Sequence, residues 1–85
     1  MLRCVILPKS TLRTRRHRAL VSVLTELRKD KGLTQRELAT RLRTPQNYVA
    51  QIESGARRVD TTEFAEYVTA LEEDPAEVYR RVLER

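Results

Sequence analysis

Tryptophan is absent from this chain, and one cysteine, one histidine and two glycines are all its 85 residues hold of those types. Each shortage closes a class of explanation. A single Cys4 cannot form an internal disulfide, and Cys4 with His17 cannot fill a four-ligand zinc site, so neither a disulfide framework nor a metal staple is expected. Two glycines among 34% charged residues do not suit a β-sandwich, whose turns need more of them; the composition is that of one small, soluble, helix-rich domain. No apolar run approaches the roughly 18–20 residues of a membrane span. Leu2 to Leu7 is also too short for a signal peptide and lacks a cleavage pattern, so the expected location is the cytoplasm with no membrane partner. There is no glycine-rich phosphate loop, and Ser10, Ser22 and Ser54 have no histidine beside them in sequence. An enzyme is therefore not expected, and no cofactor is implied.

What is abundant is charge, and it is distributed unevenly. Residues 1–18 hold six Lys or Arg and no acid, residues 28–58 hold eight bases against three acids, and residues 59–85 hold three bases against eight acids. A basic front joined to an acidic rear suggests one face for a polyanion and another turned away from it. A solvated basic surface with no partner is the plain alternative.

Punctuation along the chain predicts five helices. Leu20, Val23, Leu24 and Leu27 recur at helical spacing after a basic stretch, the helix starting between Thr11 and Arg18, and Gly32 ends it as a C′ glycine. Thr34 with Glu37 makes a capping box for a second helix running to about Leu42, with Leu33 stapled to Leu38. Thr44 is a capping hydroxyl and Pro45 suits a first helical position, so a third helix is expected from about Pro45 to Ser54, closed by Gly55. Asp60 with Glu63 repeats the box for a fourth helix with Phe64, Tyr67, Val68 and Leu71 inside. Asp74, Pro75 and Glu77 do the same for a fifth, with Val78 and Val82, and Tyr79 or Leu83 besides, facing inward. Ahead of these, Leu2 to Leu7 stopped by Pro8 forms a short apolar, extended candidate segment. The domains are thus a basic arm with that segment at 1–16 and the helical domain at 17–85. His17 reads as exposed, and Tyr67 and Tyr79 as core rims.

The second and third helices, joined through Arg43 and Thr44, have the form of a helix-turn-helix. With Val49 and Ile52 turned to the core, positions 46, 47, 50 and 51 lie on the outer arc of the third helix. Gln46, Asn47 and Gln51 would place amides there, groups that donate and accept together and so match the edge of adenine. Taken alone, such residues more often form a merely solvated helix face.

The run LRKDKGLTQRELATRLRTPQNYVAQIESGARR resembles the helix-turn-helix core of the phage repressor and Cro type, the xenobiotic-response-element (XRE) family. Gly32, Leu33, Thr34, Gln35, Glu37, Leu38, Ala39, Leu42, Val49, Ile52, Glu53, Gly55 and Arg57 all fall in register. The resemblance implies an all-α, compact five-helix repressor-like domain that inserts its third helix into the major groove of double-stranded DNA, a docking geometry for which phage repressors are the standard example. It implies that Gln46, Asn47, Ala50 and Gln51 read bases, and that Gln35, Arg43, Thr44, Tyr48, Arg57 and Arg58 bind phosphates. It also pairs Arg28 with Glu53 as a structural ion pair. Arg13, Arg15, Arg16 and Arg18 form a candidate arm on the DNA. Two positions depart from the pattern. Arg43 stands where glycine is usual, so either the backbone avoids positive φ there or a strain of order 1 kcal/mol is tolerated. Ala50 stands where serine is frequent.

The expected function is a sequence-specific transcriptional regulator, a repressor acting as a homodimer on a palindromic operator, cytoplasmic and nucleoid-associated, of prokaryotic or phage origin. Dimerisation is expected through the fifth helix and the end of the fourth, with Leu2 to Leu7 as second candidate. The alternative is an antitoxin-like or adaptor protein whose main partner is another protein, a toxin or another regulator. Non-specific nucleic-acid binding is the third reading.

Overall fold

The computed structural model describes residues 14–85 as five helices, α1 (Arg15–Asp30), α2 (Gln35–Leu42), α3 (Gln46–Glu53), α4 (Thr61–Ala70) and α5 (Pro75–Leu83). There is no strand among the described residues. The Leu2 to Leu7 segment and Arg13 lie outside them.

Each helix begins where a side chain or a proline fixes the first turn. Thr14 accepts from the His17 amide at 3.0 Å and starts α1, so Arg15, Arg16 and Arg18 of the expected arm sit in the first turn of a helix. Thr34 and Glu37 form the reciprocal box of α2, and Asp60 and Glu63 that of α4. Two starts differ from expectation. At α3, Pro45 is itself the extended N-cap residue (ψ 153°) and no side chain caps the helix. The Thr44 hydroxyl faces backward, toward the Ala39 carbonyl, because Thr44 belongs to the end of α2. At α5, the Asp74 carboxylate accepts from Ala76 and Pro75 fills the first turn, but Glu77 pairs with Arg80 instead of reaching back to complete a box.

The ends of the first four helices share one design. After each, a residue adopts the left-handed conformation: Gly32 (φ 74°), Arg43 (φ 59°), Gly55 (φ 83°) and Glu72 (φ 63°). In each case that residue's N–H and the next one's close two carbonyls of the last turn, as in Arg43 to Thr40 and Thr44 to Ala39. This is the Schellman arrangement. It reverses the chain within a few residues and so sets five short helices around one core. At two of the four positions the left-handed residue carries a Cβ, which costs about 1–2 kcal/mol each. Of the two possibilities at position 43, the chain therefore tolerates the strain.

The core is Val23, Leu24 and Leu27 of α1, Leu38 and Ala39 of α2, Val49 and Ile52 of α3, Phe64, Tyr67 and Val68 of α4 with Leu71 after it, and Val78 and Val82 of α5. Tyr67 is fully buried and no rim residue, whereas Tyr79 and Leu83 are 43% and 47% exposed and do not face inward. Tyr79 instead lays its ring edge-on to Phe64, centroids 5.7 Å apart. His17 is buried, contrary to the exposed reading, because the first turn of α1 lies on the bundle. α2 packs on α3, α1 on α3 and α5, and α4 on α2 and α5.

The shared turn design makes substitutions of opposite sign testable. Arg43→Gly and Glu72→Gly should each stabilise the domain by up to about 1 kcal/mol, the relief of left-handed strain less the added entropy of the unfolded chain. Gly32→Ala, where an added Cβ meets nothing within 4 Å, should destabilise by about 1 kcal/mol from backbone conformation alone. Urea unfolding of the three variants checks both signs.

Candidate nucleic-acid interface

The second and third helices are held together by a buried carboxylate. Glu53, in the last turn of α3, accepts from four donors: Arg28 Nε at 2.7 Å and Arg28 Nη2 at 2.9 Å, Gln35 Nε2 at 3.1 Å, and the Tyr67 hydroxyl. Arg28 Nη1 also donates to the Leu33 carbonyl in the turn before α2. The Arg28 and Glu53 side chains are only 10% and 5% exposed. One acid thus ties together α1, the start of α2, the end of α3 and the middle of α4. Burial alone would raise the Glu53 carboxyl, but hydrogen bonds from Arg28, Tyr67 and Gln35 outweigh it and hold the group below the usual carboxylate range. Arg28 is held above its ordinary value chiefly by its bonds to Glu53, and burial, with Glu53 as acceptor, pushes the Tyr67 hydroxyl up.

With its C-terminal end fixed, α3 turns Val49 and Ile52 fully inward. Gln46, Asn47 and Gln51 are exposed and Ala50 is half-buried. No side-chain hydrogen bond engages the three amides among the described residues, so both their donors and acceptors remain open. The start of α3, lacking a side-chain cap, leaves first-turn N–H groups open as well.

The residues proposed for phosphates flank this face in different states. Gln35 spends one amide N–H on Glu53 and keeps the second. Arg43 is exposed on its left-handed turn, Arg58 is exposed, and Thr44 is half-buried. Arg57 lies 4.7 Å over the centroid of the Tyr48 ring and pairs with Glu63 at 2.6 Å. Burial, and then nearby Glu63, raises the Tyr48 hydroxyl, which stays a neutral donor. Arg15, Arg16 and Arg18 lie exposed at the far end of α1, and Arg13 is outside the described residues.

Three of these contacts are not written in the sequence pattern. The Tyr67 and Gln35 bonds to Glu53 and the Tyr48–Arg57–Glu63 stack join residues 6 to 18 positions apart. A signal existed for one of them: a tyrosine in a core stripe needs an acceptor for its hydroxyl, and Glu53 was the acid already placed inside.

Two short helices joined by a tight turn, the second with a polar outer face, define a helix-turn-helix unit. The helix-turn-helix family profile matches residues 24–78. An XRE-family like protein from Pseudomonas syringae pv. tomato str. DC3000 superposes with a TM-score of 0.77 at 36% identity, covering 81% of this chain and 84% of that one. The clp gene regulator ClgR from Corynebacterium glutamicum gives 0.74 at 31% identity, over 91% of this chain and 78% of that one. The restriction-modification controller protein C.Esp1396I gives 0.77 at 20% identity, over 84% and 91%, and shares the fold. No curated protein matches the sequence. The chain belongs to the XRE-type helix-turn-helix family, a class of DNA-binding transcription regulators. Among its described residues no helix is long and apolar enough to cross a membrane.

The buried carboxylate carries a pH signature. Unfolded, Glu53 takes up a proton near pH 4.3; folded, it resists protonation to lower pH, so its contribution is complete above that value and is lost as pH falls below it. Glu53→Gln, which leaves the Arg28 charge buried against a neutral partner, should cost about 3 kcal/mol at neutral pH. The gap to the unsubstituted protein should narrow between about pH 5 and pH 3, as measured by urea unfolding at each pH.

Proposed function

We propose that this protein is a sequence-specific transcriptional regulator that lays α3 in the major groove of a palindromic operator as a homodimer and represses by occupying the site. The observation that carries this reading is the set of unengaged amides at Gln46, Asn47 and Gln51 on a helix whose other end is locked by Glu53. Amides with both lone pairs and N–H groups open suit bidentate bonding to adenine, and the Ala50 methyl suits a thymine methyl or a close approach. The open N–H groups at the start of α3 add a positive dipole end facing the polyanion. Gln35, Arg43, Thr44, Tyr48, Arg57 and Arg58 surround this face and would fix register on phosphates.

One such helix reads only a few base pairs, so two copies are needed for a useful specificity ratio. Leu83, exposed at the end of α5, supplies apolar surface for the pairing, whereas Val68 and Leu71 at the end of α4 are buried in the core. The acidic rear half then faces away from DNA, as its charge requires.

Random-site selection with the full chain tests the reading: a short, symmetric enriched word with half-site centres about 34–36 Å apart is expected, and recovery of unselected sequence would contradict it. On that word, Gln46→Ala should relax preference at a single base position, with about 1–3 kcal/mol of discrimination lost there. Arg57→Ala should weaken all sequences alike and reduce the salt slope by about 1. Competition binding across single-base variants of the site separates the two outcomes.

A further inference from the structure

A groove of about 590 Å³ runs between the start of α1, the start of α4 and one side of α5, and it borders the proposed DNA face, because Arg58 of the turn between α3 and α4 forms part of its lining. Its floor is apolar, made by Leu20, Phe64, Tyr79 and Val82. Tyr79 is 43% exposed, one of two large apolar side chains left in solvent among the described residues. The size is that of a small-molecule site.

The polar part of the lining has one sign. Arg16 and Arg58 are exposed, and no hydrogen bond or ion pair engages either guanidinium among the described residues. His17 stands in the wall with its Nε2 buried and without a hydrogen-bond partner, a state that costs free energy until a partner is supplied. Asp60, the one acid among the described lining residues, is already engaged, its carboxylate accepting from the Glu63 amide at 2.7 Å. An inorganic anion would leave the apolar floor in water, and a neutral apolar molecule would leave His17 unanswered. A carboxylate on an alkyl or aryl tail meets both needs. Its tail covers Phe64 and Tyr79, and its two oxygens have lone pairs enough to accept from the Arg58 fork and from His17 Nε2–H. We propose that this groove binds a small carboxylate with an apolar tail, and that the bound head occupies Arg58 in place of a DNA phosphate. The second half rests on the phosphate role proposed above for Arg58; the first half does not. Such a ligand would act as an effector that weakens DNA binding.

His17 and Phe64 are the chain's only histidine and only phenylalanine, so their ring signals in nuclear magnetic resonance report on the groove without ambiguity. Titrated with octanoate at constant ionic strength, both should shift and saturate, and octan-1-ol, which has the tail without the charge, should bind about fivefold less tightly. Arg58→Gln should weaken octanoate by a similar factor and leave octan-1-ol unchanged, whereas Arg36→Gln, at an exposed position on α2 outside the groove, should alter neither. Absence of saturable shifts, equal binding of the two probes, or equal effects of the two substitutions would overturn the site. In a second arm, octanoate near saturation should weaken binding of the unsubstituted protein to a duplex of arbitrary sequence about threefold relative to the same concentration of acetate, and should leave duplex binding by Arg58→Gln unchanged. An undiminished duplex affinity would overturn the competition. Phosphates are common to every sequence, so a random-site selection that enriches no word would count against the operator reading alone, and the octanoate titration decides the groove without DNA.

Discussion

The Glu53 carboxylate is the constraint on which the rest of the structure depends. It is taken out of water, and both oxygens are answered by donors from three other elements. A charge so placed is stable only when its hydrogen bonds are complete, and removing any donor leaves a buried deficit. Hydrophobic contact alone would allow α3 to slide or roll on α1 and α2. The directional bonds to Arg28, Gln35 and Tyr67 leave one position and one rotation. The arrangement therefore contributes uniqueness to the geometry of α3 as much as stability to the fold.

That rigidity divides α3 into two functional ends. Its C-terminal turn is satisfied by the interior and by the Schellman closure at Gly55, while its N-terminal turn has no side-chain cap and its outer amides have no internal partner among the described residues. A helix with open donors at its start is a poor element in isolation and a ready one beside phosphate. The chain belongs to a family of DNA-binding regulators, and this local chemistry suits the role proposed for α3. Arg57, stacked on Tyr48 and paired with Glu63, is held in place, which lowers the ordering cost of any contact it makes.

Most of the fold was legible because the helices are punctuated locally. Thr34 with Glu37 and Asp60 with Glu63 are capping boxes in sequence and in space, and the 3.6-residue spacing of Leu24, Leu27, Val68 and Leu71 identified core positions. What was missed depended on neighbours far along the chain. His17 sits in a basic run that reads as solvated, but the angle at which α1 begins buries it. Tyr67 became wholly interior because Glu53 offered its hydroxyl an acceptor. Thr44 looked like the cap of α3, yet its N–H closes α2, and the extended backbone of Pro45 takes the cap position. At Arg43, residue type argued against a left-handed turn, and the need to reverse the chain between α2 and α3 prevailed. For the site, the outward arc of α3 followed from the burial of Val49 and Ile52; the Gln35 bond to Glu53 did not, since it depends on how two helices meet.

The outer amides of α3, open on a helix fixed through Glu53, are proposed to engage base edges. Side-chain NH2 resonances of Gln46, Asn47 and Gln51, followed by nuclear magnetic resonance while a duplex carrying the selected site is added, test it most directly. Large shifts are expected at these three amides, with the Tyr67 and Arg28 signals little changed. Perturbations confined to α4 and α5, with the three amides unaffected, would contradict it.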